Sequence, residues 1–189
     1  MPDQMNRALF LDRDGVVNVE KNYVHRIADF EFVSGIMDLC ACALTLGFRI
    51  IIITNQAGIA RGYYTVRDYD RLTGWMLDQF SLHDVHIDRV YYCPFHPTAG
   101  LGKYKYDSYD RKPNPGMILK ARKDFNLALP ESVLIGDKDT DVMAGLSAGV
   151  GYNVLLSESL PDIEDSECLH YSSLPDITAW LAGNFRQSR

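Results

Sequence analysis

The run Leu9-Phe10-Leu11 ends in Asp12-Arg13-Asp14-Gly15. A strand that buries its apolar residues and then delivers two carboxylates, two positions apart, presents charge where burial would be costly. The pattern recurs along the chain. Thr54-Asn55-Gln56-Ala57-Gly58 follows the apolar run Arg49 to Ile53, and Gly136-Asp137-Lys138-Asp139 follows Ser132 to Ile135. After a further run, Arg89 to Cys93, a long loop from Pro94 to Asp110 ends in Arg111-Lys112-Pro113. Asp12, Asp14 and Asp137 gathered in one crevice would repel one another. A hard divalent cation resolves that repulsion. Magnesium suits it, because it takes oxygen ligands and is usually held by one or two carboxylates together with water and a substrate phosphate. Lys112 and the backbone N–H groups after the Arg49 to Ile53 run add positive potential. Such a set suits phosphoryl transfer, where positioning and charge neutralisation supply most of the catalysis. Each aspartate alone reads equally well as a turn or capping residue. The whole set at strand ends, joined by Thr54 and Lys112, does not.

The elements that must position these residues alternate. Ala8 to Leu11 reads as a first strand. Ile36, Leu39, Cys40, Ala43 and Leu44 form a helix stripe, with Gly47 as its stop. Arg49 to Ile53 is a buried strand. Thr65 caps a helix that runs to about Phe80, with Tyr69, Leu72, Met76 and Phe80 on one face. Arg89 to Cys93 is a third strand, and Asn114 to Phe125 a helix with Pro115 in its first turn. Ser132 to Ile135, Asp139 to Ala148 and Asn153 to Leu155 read as strand, helix and strand. Leu174 to Phe185 is a closing helix. This rhythm predicts an α/β fold: a single Rossmann-like, doubly wound parallel sheet with helices on both faces. Ligands of such sheets gather at the carboxyl ends of the strands, where every polar motif falls. The gap after the first motif holds a loop and one helix. The gap after the second holds one helix, one strand and a loop. Neither accommodates a separate cap domain, so residues 1–189 read as one domain with an open site. The roof would come from Glu20 to Tyr23 and from Pro94 to Asp110. Tyr63 and Tyr64 read as packing or rim residues. Ser157 to Ser173 shows no legible chemistry.

Composition sets the outer limits. A chain of 189 residues, 47% of them hydrophobic, can bury a substantial core. The formal net charge of -6, with no basic run, argues against a nucleic-acid partner but allows a small phosphorylated substrate. The N-terminus lacks the pattern of a signal peptide, and no apolar run could span a bilayer. Cys40, Cys42, Cys93 and Cys168 are irregularly spaced and read as free thiols of a cytoplasmic protein.

The motifs DRDGV (Asp12 to Val16), TNQ (Thr54 to Gln56), RKP (Arg111 to Pro113) and GDKDTD (Gly136 to Asp141) resemble the four ordered motifs of the haloacid dehalogenase-like (HAD-like) phosphohydrolases. The resemblance covers nearly the whole chain, and it implies roles. Asp12 would be the nucleophile and form an aspartyl-phosphate. Asp14 would protonate the leaving oxygen and then activate water. Dehalogenases lack this second aspartate and the pump ATPases carry threonine there, so Asp14 favours a phosphatase. Thr54 and the Asn55 N–H would hold phosphoryl oxygens, and Lys112 would neutralise the nucleophile. Asp12, the carbonyl of Asp14, and Asp137 would hold magnesium, with Asp141 supporting the loop.

DRDGVVNVEKNYV and TNQAGIARGYYT look further like the heptose 1,7-bisphosphate 7-phosphatase family. That family is capless, related to the histidinol phosphatases, and serves nucleotide-activated heptose synthesis for surface polysaccharide. On its pattern Glu20, Lys21, Asn22 and Tyr23 contact the sugar, with Asn55, Gln56 and Ala57 beside the phosphoryl group. Arg111 and Lys138 would bind the distal phosphate or ring hydroxyls. The rival readings are a histidinol-phosphate phosphatase, a DNA 3′-phosphatase and a non-catalytic receiver domain. Many members carry a structural zinc on a Cys-x-His pair and a later Cys-x-Cys. Here Cys93 alone remains. Phe95 stands at the histidine, Ser108 and Asp110 stand at the two cysteines, and His96 lies one place late. No zinc site is expected. Phe95, Tyr104, Tyr106 and Tyr109 are expected to order that loop instead. A monomer is expected.

Overall fold

Residues 48–55, Phe-Arg-Ile-Ile-Ile-Ile-Thr-Asn, place isoleucines on both faces of any strand they form. Such a strand must lie inside a sheet covered on both sides. The computed structural model, which describes residues 5–158 and 168–185, places it there. Six parallel strands run in the order β3-β2-β1-β4-β5-β6. They are β1 (Arg7–Leu11), β2 (Phe48–Asn55), β3 (Arg89–Cys93), β4 (Val133–Gly136), β5 (Tyr152–Leu156) and β6 (Cys168–Tyr171). The helices are α1 (Ile36–Thr45), α2 (Ala57–Ala60), α3 (Val66–Leu82), α4 (Gly116–Phe125), α5 (Asp139–Ala148) and α6 (Leu174–Asn184).

The period of two along each strand divides the core. Leu9, Leu11, Ile50 and Ile52 face one layer, packed on Leu39, Leu72, Met76, Ile177 and Leu181 from α1, α3 and α6. Ala8, Phe10, Ile51 and Ile53 face the other, against Met117, Ile118 and Ala144 from α4 and α5. The chain crosses from β1 outward to β2 and β3, then returns to β4 on the other side of β1. The order therefore reverses beside β1, and the crevice at a reversal is where parallel sheets bind ligands.

Most expected elements stand within a residue or two of their predicted ends. Thr65 caps α3 as expected, with Asp68 N–H donating to its Oγ1 at 3.2 Å and its own N–H donating to Asp68 Oδ2 at 2.9 Å. Helix α4 begins at Gly116, because Pro115 occupies the cap rather than the first turn. Among the strands and α-helices, two leave no signature in the sequence. Strand β6 is a short edge strand whose four residues are all half-buried, so it lacks a clear alternation. Helix α2 is a single turn, too short to show a period. Residues 159–167 of the segment without legible chemistry lie outside the described residues.

Candidate active site

Strand β1 ends at Leu11 and hands the chain to Asp12, only 7% exposed. Both hydrogen bonds to Asp12 fall on Oδ1, from its neighbour's Arg13 N–H at 2.7 Å and from Lys112 Nζ at 2.8 Å. Oδ2 is left open. Lys112 is itself buried. Its three ammonium protons meet three acceptors: Asp12 Oδ1, Asp141 Oδ1 at 2.6 Å and the Ile53 carbonyl at 3.1 Å. Burial alone would lower the pKa of this ammonium, but Asp12 and Asp141 outweigh it and hold it raised. Asn55 fastens the lysine's backbone from β2: its Nδ2 donates to the Lys112 carbonyl at 3.0 Å and its Oδ1 accepts the Lys112 N–H at 3.1 Å.

Asp14 is held by a residue whose part the sequence did not disclose. Arg13, 1% exposed, donates from Nε to Asp14 Oδ2 at 3.2 Å and from Nη2 to both carboxylate oxygens at 2.9 Å. The same Nη2 donates to the Val24 carbonyl at 2.8 Å, tying the loop after β1 to the strand end. Asn18 Nδ2 donates to Asp14 Oδ1 at 3.1 Å. These charge-assisted bonds fix the orientation of the Asp14 carboxylate. The sequence signal of Arg13 was only a cation placed where a strand ends.

Asp12, Asp137 and Asp141 bring carboxylate oxygens within 4.8 Å of one another. Asp141 commits its two oxygens to Lys112 and to the Lys138 N–H, the latter at 3.1 Å. Asp137 Oδ1 is buried and has no hydrogen-bond partner among the described residues. Burial pushes the Asp137 pKa up to about 6, with Asp141 adding to the rise and Lys138 and Lys112 opposing it. Burial likewise raises Asp12, partly offset by Lys112 and reinforced by Asp141 and Asp137. Clustered hard oxygens with an orphaned buried carboxylate oxygen fit a magnesium ion, with Asp12 and Asp137 as its side-chain ligands. Gly15, at φ 97°, is required here: a Cβ would lie 2.2 Å from Asp137 Oδ2.

Above these groups lies a cleft of about 450 Å³. Asp12, Asp14, Thr54, Lys112 and Asp141 form part of its wall, and Glu20, Asn22, Tyr23, Asn55, Ala57, Arg111 and Lys138 the rest of what the motifs anticipated. Thr140 and Tyr64 also line it. The expected metal ligand Asp137 lies outside this wall, and two expected substrate contacts do not reach it either. Lys21 turns outward, where its ammonium pairs with the exposed Glu31 at 2.8 Å. Gln56 is 1% exposed and sits behind the wall, its backbone N–H already given to the Cys93 carbonyl at 2.8 Å. The loop 94–110 does not line the cleft and packs beside it instead, through Leu101 N–H to the Ala60 carbonyl at 2.9 Å. In that loop Phe95 meets Tyr104 and Tyr106, with ring centroids 6.0 and 5.6 Å away. Tyr109, expected in the same cluster, is 61% exposed. Tyr63 stays at the rim and meets Tyr23 edge-on.

The parallel sheet with its motifs at the strand ends defines a HAD-like hydrolase, and a family model described as HAD-hydrolase-like matches residues 109–159. The chain is 52% identical over 153 residues to a D-glycero-alpha-D-manno-heptose-1,7-bisphosphate 7-phosphatase of Burkholderia mallei, covering 81% of each chain. It is 43% identical over 177 residues to a D-glycero-beta-D-manno-heptose-1,7-bisphosphate 7-phosphatase of Vibrio cholerae, covering 92% of this chain and 95% of the relative. Its fold matches, at a TM-score of 0.80 and 22% identity, a D,D-heptose 1,7-bisphosphate phosphatase from B. bronchiseptica solved with magnesium and phosphate. That match covers 94% of this chain and 98% of the other. The chain belongs to the heptose-1,7-bisphosphate 7-phosphatase family of the HAD-like hydrolases.

A proton retained by buried Asp137 must leave before a cation binds. Calorimetric titration should therefore show Mg²⁺ affinity weakening as pH falls through about 6. Asp137→Asn should abolish the rise in Tm that Mg²⁺ gives the parent chain. A pH-independent affinity, or an undiminished Tm shift in the variant, would contradict this assignment.

Proposed function

We propose that this chain removes the 7-phosphate of D-glycero-D-manno-heptose 1,7-bisphosphate by way of an aspartyl-phosphate on Asp12. The observation that carries the reading is Asp12 itself. One of its oxygens is pinned by Lys112 while the other is open beneath the cleft. The names of its relatives support the substrate.

Asp12 Oδ2 attacks phosphorus as the bond from phosphorus to the sugar oxygen breaks. The proton of Asp14 passes to that oxygen, and the sugar leaves as an alcohol. Asp14, now a carboxylate, takes a proton from water. The water oxygen attacks phosphorus, inorganic phosphate departs, and the Asp12 carboxylate is regenerated. Thr54 Oγ1 and the Asn55 N–H hold phosphoryl oxygens, and Lys112 balances the charge between Asp12 and the phosphoryl group. Magnesium, held by Asp12, Asp137 and the Asp14 carbonyl, would neutralise phosphoryl oxygen charge when bound.

The distal phosphate falls to Arg111. Its Nη1 reaches the Phe95 carbonyl at 3.3 Å, and no carboxylate pairs with it among the described residues. Burial and the nearby Arg61 both lower its pKa, a strain that an anion relieves. Its planar fork suits a phosphate. Lys138 is the lesser contact, since it already pairs with Glu20 at 3.3 Å and Asp137 at 3.5 Å. Glu20, Asn22 and Tyr23 take the sugar, and Lys21 does not. The chain acts as one domain and as a monomer.

The reading of no zinc at the loop around Cys93 is supported by side chains that are already engaged there. Asp110 pairs with Lys120, and His96 Nδ1 accepts the Ala99 N–H at 3.0 Å. Metal analysis of the purified protein should find no tightly bound zinc, and one zinc per chain would contradict this.

Phosphate release with magnesium should be compared on the two heptose bisphosphate anomers and on histidinol phosphate, with Asp12→Asn as blank. We expect kcat/KM for one heptose anomer to exceed that for histidinol phosphate by about a hundredfold, or ~2.7 kcal/mol of differential transition-state binding. Preference for histidinol phosphate would overturn the sugar assignment and leave Asp12 and Asp14 in their roles.

A further inference from the structure

Tyr64 is 7% exposed, and its hydroxyl donates to Gln56 Oε1 at 2.6 Å. Gln56 in turn commits its amide nitrogen to the site. Nε2 donates to Thr54 Oγ1 at 2.9 Å and to Asp14 Oδ2 at 3.2 Å. The phenol is pinned from several sides. The His25 ring stacks on it at 4.9 Å with an interplanar angle of 8°. Gly58 leaves it room, since a Cβ there would lie 2.1 Å from Tyr64 Cε1. Burial pushes the Tyr64 pKa well up, against the pull of Arg13, so the hydroxyl keeps its proton and remains a donor.

A primary amide has a donor end and an acceptor end, and turning it over exchanges them. While Asp14 is a carboxylate it can only accept, and this favours the NH₂ end toward it. Once Asp14 carries the proton for the leaving oxygen, that preference is gone. A turned amide would offer Oε1 to the Asp14 proton and draw it away from the leaving group. It would also face Thr54 with an acceptor, so that the threonine hydroxyl donated to Gln56 instead of to a phosphoryl oxygen. The Tyr64 hydroxyl opposes the turn: its oxygen could accept from the turned NH₂ end, but its own hydrogen would lose Oε1, the one acceptor it has among the described residues.

We propose that Tyr64 is a positioning residue for phosphoryl transfer. By holding Gln56 Oε1 it sets the polarity of one amide, and so aims the Asp14 proton at the leaving oxygen and the Thr54 hydroxyl at the phosphoryl group. This rests on the roles given above to Asp14 and Thr54. Gln56 thereby serves the site from behind the wall, as a link and not as a substrate contact.

The test uses the full chain with magnesium and a series of aryl phosphates, from para-nitrophenyl to unsubstituted phenyl phosphate. Their kcat/KM reports steps through formation of the aspartyl-phosphate, and dependence on the Asp14 proton grows as the leaving oxygen becomes more basic. Tyr64→Phe should lose about tenfold more on phenyl phosphate than on para-nitrophenyl phosphate, which steepens the leaving-group slope. Gln56→Leu should steepen it similarly, and the double variant no further, because the two act in series. On heptose bisphosphate the same variants should lower kcat and leave KM within about twofold. A parallel drop across the aryl series, or a change in KM alone on the sugar, would overturn the relay while leaving the phosphatase reading intact. A parent chain inert on every ester, heptose bisphosphate included, would overturn the phosphatase reading and the relay with it.

Discussion

The ammonium of Lys112 is the constraint on which the rest of this structure depends. It is buried, and a lone charge at that depth would be untenable. Each of its protons is met by an acceptor from a different part of the chain: Asp12 after β1, Ile53 within β2 and Asp141 in α5. The lysine therefore gathers three separate elements at the carboxyl edge of the sheet. Truncating a partner of such a group commonly costs about 3–5 kcal/mol, since an uncompensated charge stays behind. The reward is functional. Lys112 holds one oxygen of Asp12 and leaves the other exposed to the cleft.

The same interior holds more negative charge than one lysine balances. Asp12, Asp137 and Asp141 face one another, and Asp137 keeps an unpartnered buried oxygen. Burial and mutual repulsion raise Asp12 and Asp137 as a result. An acidic pocket that must receive a phosphate is consistent only if a divalent cation joins the set. Around it the protein fixes its geometry by backbone means. Gly15 lets the chain pass Asp137, and Asn22 and Tyr23 lie in succession at φ 56° and 61°. Two non-glycine residues in the left-handed region form a strained corner of the cleft wall. That corner is anchored by Glu20 on the Asn22 N–H at 2.7 Å, by Arg13 on the Val24 carbonyl and by His25 against Tyr64.

The strand ends were legible because burial and charge change abruptly there. Asp12, Asp14, Thr54 and Asp137 sit at such steps, Lys112 is marked instead by the Arg-Lys-Pro that closes the long loop after β3, and Thr65 carries the cap its helix needs. What escaped reading depends on side-chain direction, which linear spacing does not encode. Lys21 and Glu20 are neighbours, yet one turns to Glu31 and the other into the cleft. Gln56 follows two cleft residues but points back under them. Arg13 looks like an exposed cation and is among the most deeply buried side chains. Tyr64 resembles a packing aromatic, and only its hydroxyl's partner reveals a further use. Strand β6 is not legible because an edge strand that is half-buried on both faces leaves no alternation in its sequence.

The central claim is that Asp12 carries the phosphoryl group between two displacements. The most direct measurement is to quench turnover of heptose bisphosphate, reduce the protein with borohydride and map the peptides by mass spectrometry. An aspartyl-phosphate is reduced to the side-chain alcohol, so the account predicts homoserine at position 12 and unmodified aspartate at position 14. Reduction at Asp14, or none at Asp12 while phosphate is being released, would contradict it.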